Sequence, residues 1–168
     1  MRDEVPINNP APVASTGETS TPIETKNTII RTSGLNHITF SVSHLNRAVT
    51  FYQNVFGAEL LFLDERTAYL AVGSLWMTLN VQTDIPRQEI RFSYTHLAFT
   101  IESTDLIPME QRLRRLGVEL RPARARHAGE GESLYFADPD GHLLEFHTGD
   151  LKTRLQAYEP DTASDNNV

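Results

Sequence analysis

His37-Ile38-Thr39-Phe40 returns later in the chain as His96-Leu97-Ala98-Phe99, and Phe56-Gly57-Ala58-Glu59-Leu60 returns as Leu116-Gly117-Val118-Glu119-Leu120. An internal repeat constrains the fold strongly, because both copies must form one kind of unit and bury their apolar faces together. The unit can be read in order. Leu35 to Val42 alternates apolar and polar residues, the period of a half-buried strand. Leu45, Ala48, Val49, Tyr52, Val55 and Phe56 then recur at helical spacing, with Ser43 placed to cap the helix and Gly57 to end it. Glu59–Asp64, Thr67–Val72 and Leu75–Asn80 read as three strands, with turns at Glu65-Arg66 and Gly73-Ser74. The second copy follows: a strand from Thr95, a helix near Asp105–Leu116 stopped at Gly117, and strands near Val118, at Ser133–Ala137 and at His142–His147. Asp138-Pro139-Asp140-Gly141 is a turn signal that fixes the last hairpin. The expected fold is α+β, built of two βαβββ modules.

Three of these strands carry the wrong chemistry for a core on one face. His37, Thr39 and Ser41 lie opposite Ile38, Phe40 and Val42; His96, Ala98 and Thr100 lie opposite Leu97, Phe99 and Ile101; Glu145 and His147 lie opposite Leu144 and Phe146. The repeat brings His37 and His96 into register, each opening the first strand of its module. Packed side by side, the modules should set these histidines across a shared cleft, with Glu145 lining it. Two imidazoles and a carboxylate leave a divalent metal with open positions for substrate. The counterpart of Glu145 in the first module falls near Met77, no ligand for a hard cation, so one site per pair of modules is expected.

The rest of the composition mainly excludes. The net charge is −7, and residues 34–158 hold 12 Lys+Arg against 15 Asp+Glu, a net of −3. Nucleic acid is therefore not an expected partner, since its footprint is basic. The chain has no cysteine, which removes disulfides, thiolate ligands and a cysteine nucleophile together. No apolar run is long enough to span a bilayer, so no membrane partner is expected. Met1–Pro6 lacks the start of a signal peptide, and the cytoplasm is the expected location. Residues 1–33, rich in Pro, Thr, Ser and Asn, should form a disordered extension, and residues 159–168 a flexible tail. The modules are bounded at 34–92 and 93–158.

Several segments together resemble a known family. They are Gly34-Leu35-Asn36-His37-Ile38-Thr39, Gly73-Ser74-Leu75-Trp76, Ser93-Tyr94-Thr95-His96-Leu97-Ala98-Phe99, Ser133-Leu134-Tyr135-Phe136, and Asp138 through His147. Residues 34–158 resemble the vicinal-oxygen-chelate (glyoxalase-type) superfamily and, more narrowly, the fosfomycin-resistance metalloenzymes of the FosA, FosB and FosX group. Ile85-Pro86-Arg87-Gln88-Glu89-Ile90 ahead of Ser93-Tyr94-Thr95-His96 looks most like the bacillithiol-using metallothiol transferases. The resemblance implies thiol addition to the epoxide of fosfomycin, a small phosphonate, at a divalent metal held by His37, His96 and Glu145; such ligands admit Mn(II), Mg(II), Zn(II) and Fe(II), of which Mn(II) or Mg(II) is expected. It implies Arg154 as the phosphonate-binding arginine, Thr39 as a hydrogen-bond donor to the developing oxyanion, and Tyr69, Trp76 and Tyr135 in the substrate pocket. It also implies a homodimer whose sites pair modules from different subunits. For Tyr69 and Trp76 the other reading is core packing; for Arg154 it is a solvated helix face paired with Asp150.

The chain departs from its relatives in places. The lysine of the glutathione-using members, part of a potassium site, falls on Ala125, flanked by Arg124 and Arg126, which can serve the phosphonate directly. That loop looks instead like the loop of epoxide-hydrolysing members, whose glutamate base maps to Thr67, two residues from Glu65. The bacillithiol users often carry cysteine where Thr39 stands. The thiol is thus bacillithiol, cysteine or glutathione. Hydrolysis by water, or non-enzymatic sequestration of a small anion, remain the other readings.

Overall fold

A computed structural model of the chain describes residues 32–123 and 129–156. The expected extension (1–33, apart from its last two residues), Arg124, Ala125 and Arg126, and the tail 159–168 lie outside the described residues. The chain adopts the expected α+β fold. In the first module β1 (His37–Val42), α1 (Leu45–Phe56), β2 (Glu59–Leu63), β3 (Thr67–Val72) and β4 (Leu75–Val81) form a sheet in the order β1-β4-β3-β2 with one helix. After α2 (Arg87–Phe92), the second module runs β5 (His96–Thr100), α3 (Leu106–Arg115), β6 (Leu120–Arg121), β7 (Ser133–Ala137) and β8 (Leu143–His147), in the order β5-β8-β7-β6. α4 (Leu151–Gln156) follows. No helix among the described residues is long and apolar enough to cross a membrane.

α1 buries Leu45, Ala48, Val49, Tyr52 and Val55, the stripe its period gave. Both helix stops fall on glycines in the left-handed region: Gly57 at φ 65° and Gly117 at φ 71°. That conformation is cheap only without a Cβ. The expected strand near Val118 is the two-residue β6. α2 has no sequence signature, because Arg87-Gln88-Glu89-Ile90-Arg91-Phe92 buries no residue and so shows no apolar period.

Ser43 corrects a capping assignment. His44, not Ser43, occupies the N-cap of α1, and no side chain caps it. Ser43 turns instead to the other module, donating its N–H (2.9 Å) and hydroxyl (2.6 Å) to Asp140 Oδ1. The same oxygen takes Arg47 at 3.3 Å and faces Arg87 Nε at 3.6 Å. Beside it, Asp138 accepts the backbone N–H groups of Asp140 and His142 on Oδ1, and the Tyr52 hydroxyl (3.0 Å) on Oδ2. The Asp-Pro-Asp-Gly turn is therefore also the polar joint between modules. Phe56 completes the joint on the apolar side, with ring centroids 4.6 Å from Phe99 and 5.1 Å from Phe146.

Candidate metal centre

The parallel pairing of β5 with β8 sets Ala98 opposite Glu145 and His96 opposite Leu143. The antiparallel pairing of β7 with β8 sets Tyr135 opposite Glu145 and Ser133 opposite His147. Because side chains alternate along each strand, this register gathers His96, Glu145, Tyr135, Ser133 and His147 on one face of the sheet. His96 Nε2 lies 3.1 Å from Glu145 Oε2, and the glutamate is 4% exposed. The Tyr94 carbonyl, 2.9 Å from His96 Nδ1, can only accept, so Nδ1 carries a proton and Nε2 faces the carboxylate, with a lone pair when the ring is neutral. Two acceptors so close need a cation between them or a proton on one. Two donors held side by side on one small divalent cation, each at about 2.0–2.2 Å, lie roughly 3 Å apart. The pair fits such an ion.

Glu145 Oε1 is engaged on its other side. It accepts the Ser133 hydroxyl at 2.5 Å, and Ser133 Oγ lies 2.9 Å from His147 Nδ1. Tyr135, 8% exposed, packs edge-on to His96 with ring centroids 5.6 Å apart. Tyr94, at 5.4 Å, flanks the imidazole as well.

The first module gathers a second group of the predicted residues. β1 pairs with β4 so that His37 faces Trp76 and Thr39 faces Thr78; β3 sets Tyr69 opposite Thr78. His37 and Trp76 rings lie 4.6 Å apart, and Tyr69 meets Trp76 edge-on at 5.5 Å. His37 is exposed and its Nδ1 bonds Asn36 Oδ1 at 2.7 Å, which again leaves Nε2 outward. Trp76 is 39% exposed and Tyr69 half-buried, so neither is a core residue. The register corrects the expected counterpart of Glu145: it is Thr78, not Met77, which points the other way and is fully buried. One residue along a strand changes the face.

His37 does not join His96 and Glu145 within the chain. Among the described residues, no three His, Asp or Glu side chains converge on one point. A three-ligand site is thus not assembled by the described residues of a single chain. Arg154 sits half-buried on α4, where Asp150 serves as the helix cap: Asp150 Oδ1 accepts the Thr153 N–H (2.7 Å) and hydroxyl (2.8 Å). These bonds hold the Asp150 carboxyl below its usual range. Glu65 lies exposed in the turn between β2 and β3, whose backbone N–H groups at Arg66 and Thr67 are taken by Asp64. Sequence reasoning gave no role to Ser133 or Tyr94. His147 was legible only as a residue on the face of Glu145.

Residues 34–146 match the model of the Glyoxalase/Bleomycin resistance protein/Dioxygenase superfamily. The chain is 52% identical over 128 residues to the metallothiol transferase FosB of Shouchella clausii, covering 76% of this chain and 88% of the relative. To the metallothiol transferase FosB of Lysinibacillus sphaericus it is 48% identical over 127 residues, 76% and 90% of the two chains. Among solved structures, it superposes with a TM-score of 0.69 on the fosfomycin resistance protein FosX of Listeria monocytogenes complexed with Mn(II) and sulfate, at 37% identity, covering 77% of this chain and 100% of the other. A glutamate-to-glutamine variant of that protein, complexed with Mn(II) and 1S,2S-dihydroxypropylphosphonic acid, also gives 0.69, at 35% identity over 75% and 99%.

Proposed function

Because the chain belongs to the Glyoxalase/Bleomycin resistance protein/Dioxygenase superfamily and, within it, to the Fos group of fosfomycin resistance proteins, we propose that it is a divalent-metal-dependent thiol transferase that opens the epoxide of fosfomycin. The observation that carries this is the His96–Glu145 pair, two donors spaced for one cation on a sheet face lined by Tyr135. The bound metal, Mn(II) or Mg(II), supplies Lewis acidity to the phosphonate and epoxide oxygens.

His37 is the third ligand, and it comes from a second copy. Each β1 and β5 has one edge without a strand partner among the described residues, a natural surface for pairing. Phe92 and Tyr94, 83% and 73% exposed, lie just before β5, on the segment such a partner would cover. In a symmetric homodimer, His37 of each subunit meets His96 and Glu145 of the other.

Thiol transfer forms a C–S bond at an epoxide carbon, breaks that carbon's C–O bond, and delivers a proton to the released oxygen. Thr39, two residues from His37 on the same face, donates a hydrogen bond to that oxygen as its charge develops. Arg154, with Arg124 and Arg126, neutralises the phosphonate; a guanidinium fork matches its oxygens. Trp76, Tyr69 and Tyr135 wall the pocket. The chain lacks cysteine, so the thiolate is external. Bacillithiol is the preferred donor over cysteine and glutathione, in a cytoplasm that keeps such thiols reduced.

Mass spectrometry of fosfomycin incubated with protein, Mn(II) and each thiol separates the readings. The expected product is the thiol adduct, formed only when a thiol is present, with Glu65→Gln leaving the rate within a few-fold. A diol formed without thiol and abolished by Glu65→Gln would make the protein a hydrolase. Fosfomycin bound and returned unchanged under every condition would make it a sequestering protein.

A further inference from the structure

We propose that His147 and Ser133 form a positioning relay that commits Glu145 Oε1 to the protein, so that Glu145 serves a metal through Oε2 alone. This rests on the reading of His96 and Glu145 as metal ligands. The hydrogen-bond directions follow from which groups can only accept. His147 Nδ1 lies 3.0 Å from the Glu132 carbonyl, an acceptor, so Nδ1 carries the proton. The same N–H is shared with Ser133 Oγ at 2.9 Å, which makes the serine oxygen an acceptor there. The serine's own proton is then left for Glu145 Oε1, 2.5 Å away. His147 Nδ1 itself stands 3.7 Å from Oε1, too far for a direct bond, so it acts through Ser133.

The relay is held rigidly at both ends. Ser133 and His147 are direct cross-strand partners in β7 and β8. Thr148 N–H donates to the Glu132 carbonyl at 3.1 Å, and Glu132 N–H donates to Thr148 Oγ1 at 2.9 Å, extending the ladder past the strand ends. On the far side of the ring, a Cβ at Gly149 would fall 2.9 Å from His147 Nε2 and 2.6 Å from the Glu130 carbonyl oxygen, so only glycine lets the backbone close on the imidazole. A carboxylate with one oxygen tied down presents the other at a fixed angle. An untied one can rotate between one- and two-oxygen coordination, at an entropic cost on binding. Partners of this kind change metal affinity, not only activity.

The test reads Mn(II) affinity directly, from the spin-resonance signal of the free ion, with neither fosfomycin nor thiol present. Ser133→Ala and His147→Ala should each weaken Mn(II) binding roughly 10- to 100-fold. Ser133→Thr, which keeps the hydroxyl, and His147→Asn, which keeps an N–H near the Nδ1 position, should stay within a few-fold of the parent. The double alanine variant should bind no more weakly than Ser133→Ala, since His147 reaches Glu145 through the serine hydroxyl. Unchanged affinity in Ser133→Ala would overturn the relay, and so would an additive loss in the double variant. If His147→Ala does not fold, judged by its thermal transition, Ser133→Ala and His147→Asn decide the matter. Parent-like Mn(II) affinity in Glu145→Gln would remove the metal reading itself, and the relay with it, whereas failure to turn over fosfomycin would leave the Mn(II) result standing.

Discussion

In the second module, strand register places Glu145 beside His96 at 3.1 Å; in the first, the same register places Thr78 at the equivalent position and leaves His37 against Trp76. The equivalence runs further. Tyr69 stands opposite Thr78 as Tyr135 stands opposite Glu145, and Thr67 and Asn80 pair where Ser133 and His147 pair. One repeat carries His37 against Trp76 and Tyr69, while the other carries His96 and Glu145 with Ser133 and His147 bonded beside them. Neither module alone supplies three donors. If His37 is the third ligand, as proposed, the unit of function is larger than the repeat and larger than one chain.

Glu145→Gln makes the second module resemble the first, and it carries the largest expected effect. The anionic ligand is lost, so Mn(II) binding and thiol transfer should fall to the detection limit while the thermal transition persists. Full turnover after exhaustive chelation of the parent would break the comparison outright. Mixing inactive His37→Ala with inactive Glu145→Gln protein tests whether the modules share a site across subunits. After random exchange of subunits, half the dimers are hybrids with one intact site of two, so activity should recover to about a quarter of the parent. No recovery, with subunit exchange confirmed by sedimentation, would place all three ligands in one chain.

The joint between modules comes next in size. Asp140→Ala removes the acceptor shared by Ser43 and Arg47 and should cost about 2–3 kcal/mol in urea unfolding, as hydrogen bonds to a buried charge do. Tyr52 is the other half of that joint. Burial, then the neighbouring Asp138 carboxylate, push its hydroxyl well above the usual tyrosine range. The folded state therefore keeps this proton where the unfolded state loses it. Its contribution is complete below the unfolded value near 10 and declines as pH rises beyond it. Tyr52→Phe should cost about 1 kcal/mol at neutral pH and flatten stability between pH 10 and the folded value. An unchanged alkaline slope would show that Tyr52 ionises equally in both states.

The smallest effect concerns α4, the helix that follows the second module and carries Arg154. Thr153 holds the exposed Asp150 carboxyl below its usual range, so its contribution is present above the unfolded pKa and disappears as pH falls through the lower folded one. Asp150→Ala should raise KM for fosfomycin a few-fold, through fraying of the Arg154 turn, with little change in the thermal midpoint. A change in kcat with KM constant would separate Arg154 from ground-state phosphonate binding.

The sequence by itself determined the repeat, the α1 stripe, the glycine stops, and which strand faces carry His37, His96, Glu145 and His147. These are short-range properties: alternation and helical period act over a few residues, and a positive φ acts at one. It could not show that Ser43 serves Asp140 rather than its own helix, because that bond spans 97 residues. Nor could it show that Thr78 is the counterpart of Glu145, since register is set by whole strands packing and a one-residue slip exchanges the faces. α2 was illegible for a related reason, having no buried face to leave a pattern. Only the tertiary structure decided that His96 and Glu145 meet within the chain while His37 stands apart, because β5 pairs with β8 in one sheet whereas β1 pairs with β4 in the other.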